Sequence, residues 1–210
     1  NEEIVSKLGT ATMKGIQSQV ISAVKHFPGH GDTSTDSHIS LPVVNHDMDR
    51  LKDFELVPFA QAIENGADMV MVAHILLPKI DQENPVTLSE TVITDILREE
   101  MKFNGVIITD DMTMGAITEN YDIGDAAVKS VRAGADIVLI CHDNEKQVTV
   151  LEALKEAVAG GGISQESLDE HVYRILKLKQ KYNLNDEKIE SVDVKGINEK
   201  IGEALSRYLK

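Results

Sequence analysis

The chain has 210 residues, 42% of them hydrophobic and 4% aromatic, with 35 acidic against 21 basic side chains and a formal charge of -14. That length and apolar share support a globular domain with a substantial core and exclude a disordered chain. The acidity argues against nucleic acid or an anionic membrane surface as the main partner, since both need clustered Lys and Arg, and leaves a neutral or cationic small ligand as the easier fit. Cys141 stands alone and makes no internal disulfide, which suits a reducing compartment without excluding a secreted protein, so the compartment stays open between cytoplasmic and secreted or cell-wall-associated bacterial. No apolar run is long enough to span a membrane. The sequence opens at Asn1 without a signal-like stretch, which fits a start removed by processing.

Residues 2–18 place Ile4, Leu8 and Ala11 at helical spacing among polar groups, predicting an amphipathic helix ahead of a first apolar strand at 20–25. The stretch 25–38 then reads KHFPGHGDTSTDSH, with three histidines, two aspartates and a lysine, and its Pro28, Gly29 and Gly31 exclude regular structure. A helix is predicted over 51–63, with Pro58 in its first turn and Asn65-Gly66 as its stop. The second strand, 68–73, delivers His74 at its carboxyl end. Ser89 caps a helix whose Val92, Ile93, Ile96 and Leu97 share a face. The third strand, 106–109, runs into Asp110-Asp111. A helix over 123–133 leads through Gly134 to a fourth strand, 136–140, which ends at Cys141, His142 and Asp143. Two further helices follow, one carrying Val148, Leu151, Leu154 and Val158, the other capped by Ser164. A charged linker near 183–195 precedes a last amphipathic segment with Ile197, Ile201, Leu205 and Tyr208.

Four apolar strands alternating with helices call for parallel pairing with the helices outside, an α/β fold. Each strand ends in ionisable groups: Lys25 and His26, then His74, then Asp110 and Asp111, then His142 and Asp143. In a (β/α)8 barrel those ends share the rim that carries active sites. A doubly wound sheet would use the same edge, but no G-x-G-x-x-G follows any strand.

Asp36 and His38 are spaced so that the carboxylate can reach the imidazole, fix its tautomer and raise its pKa. A histidine held that way can protonate a leaving oxygen and later take a proton from water. The plainer alternative is a loop hydrogen bond. One of Asp110 and Asp111 should face the rim, where a carboxylate could act as nucleophile, while the other meets solvent or a backbone donor; a helix cap is the competing reading. Lys25 and His26 could grip sugar hydroxyls, although a strand-end lysine is often only a solvated charge. His74 and His142 read as structural or outer-shell groups, and Met69, Met71, Met112 and Met114 as packing.

KHFPGHGDTSTDSH, MVMVAHI and GVIITDDMTMGAI, in this order and with the ILKLKQKYNL helix ending, resemble the family 3 glycoside hydrolases, in particular the NagZ-type β-N-acetylglucosaminidases. The likeness covers most of residues 20–184. It implies His38 as general acid/base, Asp36 as its partner, Asp110 as nucleophile, and Lys25 with His26 as contacts to N-acetylglucosamine. It further implies retaining hydrolysis through a covalent glycosyl-enzyme, muropeptide-like substrates from peptidoglycan, and no metal or organic cofactor. The family barrel has eight strands, whereas only the last four are legible here. The expectation is therefore the C-terminal half of a TIM barrel over 1–184, a linker and terminal helix over 185–210, and a missing N-terminal half as partner.

Two other readings compete. His26, His30, Asp32, Asp36, His38, His74 and Asp110 supply residue types for a divalent metal in a barrel hydrolase, but no H-E-x-x-H or strand-end H-x-H spacing holds them together. A sugar-binding fragment without turnover would keep the motifs and form no covalent intermediate.

Overall fold

The structure is a computed structural model that describes residues 1–33, 37, 40–188 and 191–209. Four parallel strands, β1 (Ala23–Phe27), β2 (Met69–Val72), β3 (Val106–Asp111) and β4 (Ile137–Leu139), pair in chain order into one open sheet. Helical segments fill every crossover, as parallel connections require. Ahead of β1 lies α1 (Glu2–Gln17); between β1 and β2 come α2 (Met48–Arg50), a π-helical turn (Leu51–Glu55) and α3 (Val57–Glu64). A short 3-10 turn (Val86–Leu88) and a π-helix (Thr91–Glu100) join β2 to β3. Next come α4 (Gly115–Thr118) and α5 (Ile123–Arg132), and after β4 come α6 (Asn144–Ala159), α7 (Gln165–Lys181) and α8 (Val194–Tyr208).

Strand composition explains the layering. On β2, Val70 and Val72 are fully buried against the helices with Phe27, Ile93, Leu97, Phe103 and Ile107, while alternate residues Met69 and Met71 are only half-buried. All three residues of β4 are likewise half-buried, and β1 and β4 stand at the two ends of the sheet. Parallel strands normally lose both faces to neighbours. An arc of four βα units with a partly uncovered inner face is therefore part of a (β/α)8 barrel, as expected, and the edge strands are those anticipated.

The first strand differs from expectation. It occupies Ala23–Phe27 rather than 20–25, because Ser18 to Val20 close the end of α1 through hydrogen bonds to Gly15 and Ile16. Val20 is left exposed, whereas Phe27 is buried edge-on against Phe59, with ring centroids 5.2 Å apart. His26 thus lies within the strand. The helices expected over 51–63 and after Ser89 are helical but partly π-wound, and the Ser89 hydroxyl accepts from Val92 N–H at 3.2 Å as a cap. Pro58 sits in the first turn of α3, and Gly66 adopts a positive φ of 83° after it. α8 buries none of its residues.

Two aspartates at the amino ends of strands hold the opposite rim. Asp136, its side chain fully buried, accepts from Ile107 N–H at 2.7 Å, from His171 and Arg174 Nε at 2.8 Å each, and from Arg98. Asp68 accepts from Lys181 at 2.6 Å and from the Tyr182 hydroxyl. Burial and the Asp68 contact push the Tyr182 phenol up to about 12. The two carboxylates thereby bind α7 across the base of the sheet. Burial alone would raise the Asp136 pKa, but the His171 bond, the Arg98 charge and the Ile107 and Arg174 donors outweigh it and hold it below the usual range.

Asp136→Ala leaves four donors, Ile107 N–H, His171, Arg98 and Arg174, facing an empty buried site, so it should cost about 3–5 kcal/mol in urea unfolding at pH 7. Because the folded-state pKa is depressed, this contribution is complete above the unfolded value of about 4 and disappears as pH falls through the lower folded value. The gap between wild type and variant should therefore close on acidification. Equal unfolding midpoints at pH 7 would contradict the role.

Candidate active site

The carboxyl ends of all four strands lie on one rim because the strands are parallel and paired in order. Both outer ladders carry an extra residue there. Val24 to Phe27 takes three steps while Val70 to Val72 takes two, and Ile108 to Asp111 takes three against two for Ile137 to Leu139. Bulges of this kind re-aim side chains. They fall at Lys25-His26 and Thr109-Asp110, and His26 Nε2 sits 3.5 Å from Asp110 Oδ2 across β2. The Lys25–His26 and Phe27–Pro28 peptide bonds are cis. Burial lowers the His26 pKa against the opposing Asp110 charge, with Lys25 and His30 adding to the lowering. A neutral imidazole beside a carboxylate is the result near neutral pH.

Asp110 and Asp111 divide their work. Asp110 Oδ1 accepts the Asp111 N–H at 2.8 Å, and its Oδ2 faces His26. Asp111 turns its carboxylate to Thr113 N–H at 3.0 Å, the Thr113 hydroxyl at 2.8 Å and Cys141 N–H at 3.2 Å. Burial would raise its pKa, but the Thr113 and Cys141 bonds dominate and lower it. Asp111 is thus the backbone-bound member of the pair, and Asp110 the one left on the rim.

His74 is 1% exposed and bonded at both ring nitrogens, as a structural group should be: Nδ1 lies 2.7 Å from Thr87 Oγ1 and Nε2 3.0 Å from the Asp111 carbonyl oxygen. His30 is similarly engaged, with Nδ1 3.0 Å from Thr33 Oγ1 and Nε2 3.2 Å from Ser37 Oγ. Asp36 and His38 lie outside the described residues. Ser37 between them is buried, and its carbonyl accepts from Ala116 N–H at 3.1 Å, which ties this loop to the helix just beyond Asp110 and Asp111.

Lys25 lines a cleft of about 810 Å³ that runs along the open edge of β1, with His26, His30, Asp32, Arg50 and Glu55. Asp110 is not among the cleft residues, and His26, which lines the cleft, is the residue that approaches it. Glu55 bonds Arg50 at 2.9 Å, and His46 bonds Asp32 at 2.9 Å. Gly29 has a φ of 142°, and a Cβ there would meet Glu55 Cβ at 3.1 Å, so the loop's first turn needs glycine. Among the described residues no three His, Cys, Asp or Glu side chains converge as metal ligands. His30 and His74 in particular have no free ring nitrogen to offer.

Asp143, grouped with the rim residues by its position after β4, instead caps α6, accepting from Glu145 N–H at 3.1 Å and Lys146 N–H at 3.2 Å. A short polar side chain directly before a helix prefers that role. Thr87, Thr113, Glu55 and His46 were not anticipated. Thr113 had a local signal, its place two residues after Asp111 in a turn-forming pattern; Glu55 pairs with Arg50 five residues earlier, whereas Thr87 and His46 act through partners 13 and 14 residues away.

A family profile described as "Glycosyl hydrolase family 3 N terminal domain" matches residues 1–178. A beta-hexosaminidase A of Pseudoalteromonas piscicida is 37% identical over 86% of this chain and 33% of its own length. A beta-hexosaminidase of Hydrogenovibrio crunogenus is 39% identical over 67% of this chain and 39% of its own. Among solved structures, a glycoside hydrolase family 3 beta-N-acetylglucosaminidase from Paenibacillus sp. FPU-7 superposes with a TM-score of 0.88 at 44% identity, covering 91% of this chain and 37% of that one. The beta-N-acetylglucosaminidase of Thermotoga maritima gives 0.79 at 25% identity, over 99% of this chain and 53% of that one. The chain spans a third to about half the length of these proteins.

Proposed function

The chain belongs to glycosyl hydrolase family 3, and from that membership we propose that it carries the nucleophile and the acid/base of a retaining β-N-acetylglucosaminidase. The observation that carries this reading is the Asp110 carboxylate, oriented by one backbone N–H and open toward His26 at 3.5 Å on the carboxyl rim of the sheet. Asp110 attacks the anomeric carbon of a terminal β-linked N-acetylglucosamine while His38, paired with Asp36, protonates the leaving oxygen. Water, deprotonated by the same histidine, then releases the sugar with its configuration retained. Lys25 and His26 bind the sugar ring. The names of the similar hexosaminidases support the sugar class, and the substrate we assign is a muropeptide-type glycan with N-acetylglucosamine at its non-reducing end. The chemistry needs no metal or organic cofactor.

Residues 1–184 form the catalytic part, with 185–210 as linker and terminal helix. The β1 and β4 edges call for further βα units to close the barrel, and the additional length of the similar proteins supports a second half as the partner. Residues 1–210 alone should therefore give no turnover of an aryl β-N-acetylglucosaminide, while a chain that completes the barrel should. Proton NMR of the latter reaction tests the mechanism: β-N-acetylglucosamine should appear first, and first appearance of the α anomer would overturn it.

A further inference from the structure

His74 is a buried titratable group to which the proposed chemistry gives no task. It stands at the carboxyl end of β2, between the strands that bear His26 and Asp110. Its Nε2 faces the Asp111 carbonyl oxygen at 3.0 Å, and since a carbonyl only accepts, Nε2 carries the hydrogen. On the other side, Nδ1 meets Thr87 Oγ1 at 2.7 Å, and Thr87 in turn lies 2.8 Å from the Ala73 carbonyl. Whichever way that hydroxyl points, the Nε2–H is committed to Asp111, so both ring edges are fixed.

Asp111 is where this ring meets the nucleophile. Its carbonyl takes the His74 hydrogen, its carboxylate is held by Thr113 and Cys141 N–H, and its own N–H points at Asp110 Oδ1 at 2.8 Å. The backbone N–H, the carbonyl and the carboxylate of Asp111 are all engaged.

We propose that His74 is a positioning residue for the glycosylation step: its Nε2–H on the Asp111 carbonyl keeps the Asp111 N–H on the Asp110 carboxylate and so orients Asp110 for attack. This rests on the reading of Asp110 as nucleophile. The bond crosses from β2 to β3 beside the bulge at Thr109-Asp110, on a carbonyl that also accepts from Met114 N–H at 3.0 Å, while Met112 N–H bonds the Leu139 carbonyl at 3.0 Å, so His74 adds the β2 side to a peptide already held from β3 and β4.

Glutamine and asparagine at position 74 separate the two ring edges, because the Gln amide reaches about where Nε2 lies and the Asn amide about where Nδ1 lies. The test is the rate of covalent trapping by a 2-fluoro aryl glycoside of the N-acetylglucosamine type, together with kcat and KM, in barrel-complete protein. His74→Gln should trap within about tenfold of wild type and His74→Asn about a hundredfold more slowly, as small misplacements of a reacting group do. KM should change little, and both variants should melt at similar temperatures. His74→Leu, which keeps neither bond, repeats the loss if the Asn variant does not fold. Equal trapping rates for Gln and Asn, or a wild-type rate for Leu, would overturn the proposal. Failure of wild type to be labelled at Asp110 would instead sink the nucleophile assignment beneath it.

Discussion

Asp110→Ala is expected to lower turnover of an activated aryl β-N-acetylglucosaminide by ~10⁴-fold or more, because it removes the atom that forms the covalent bond. Asp111→Ala should keep measurable activity. The contrast follows from how the two carboxylates are used. Asp110 has one backbone donor and an oxygen turned toward His26, whereas Asp111 is spent on Thr113 and Cys141. Alanine at 111 loosens that turn but leaves the backbone N–H that serves Asp110. Steady-state kcat values for the two variants decide the point, and a dead Asp111→Ala beside an active Asp110→Ala would reverse the assignment.

The second large effect is expected at His38. His38→Ala should slow substrates with basic leaving groups by ~10²–10⁴-fold and activated aryl substrates far less, since proton donation matters most when the leaving oxygen is a strong base. Asp36→Ala should follow the same pattern more mildly. A series of aryl glycosides of graded leaving-group pKa measures the dependence. Uniform loss across the series would make His38 a binding or loop-holding residue.

Much of the fold was legible because each strand is an apolar run that ends in ionisable residues, and the period of the intervening segments marks helices. The legible part includes the order of the strands and the shared rim, while which of Asp110 and Asp111 takes the backbone donors was left open by the residues themselves. The register of β1 was not legible, since Val20 to Val24 is as apolar as a strand and only the burial of Phe27 moves the boundary. The π-winding of Leu51–Glu55 and Thr91–Glu100 leaves the apolar face almost unchanged, so composition alone cannot distinguish it from α-helix. The base of the sheet was missed for a different reason. Asp68 and Asp136 each follow a Gly-Ala pair and open an apolar strand, which marks them as buried carboxylates in need of cations. Their partners Lys181, Tyr182, His171 and Arg174 lie 35 to 114 residues later, and Arg98 lies 38 earlier. Local pattern carries no information about such distances. His74 shows the same limit on the opposite rim, since its partner is the carbonyl of a residue 37 positions away.

The most direct measurement is the site of covalent labelling. Barrel-complete protein inactivated with a 2-fluoro aryl glycoside of the N-acetylglucosamine type, digested and sequenced by mass spectrometry, should carry the sugar on Asp110. Label on Asp111, on another side chain, or on none would contradict the account.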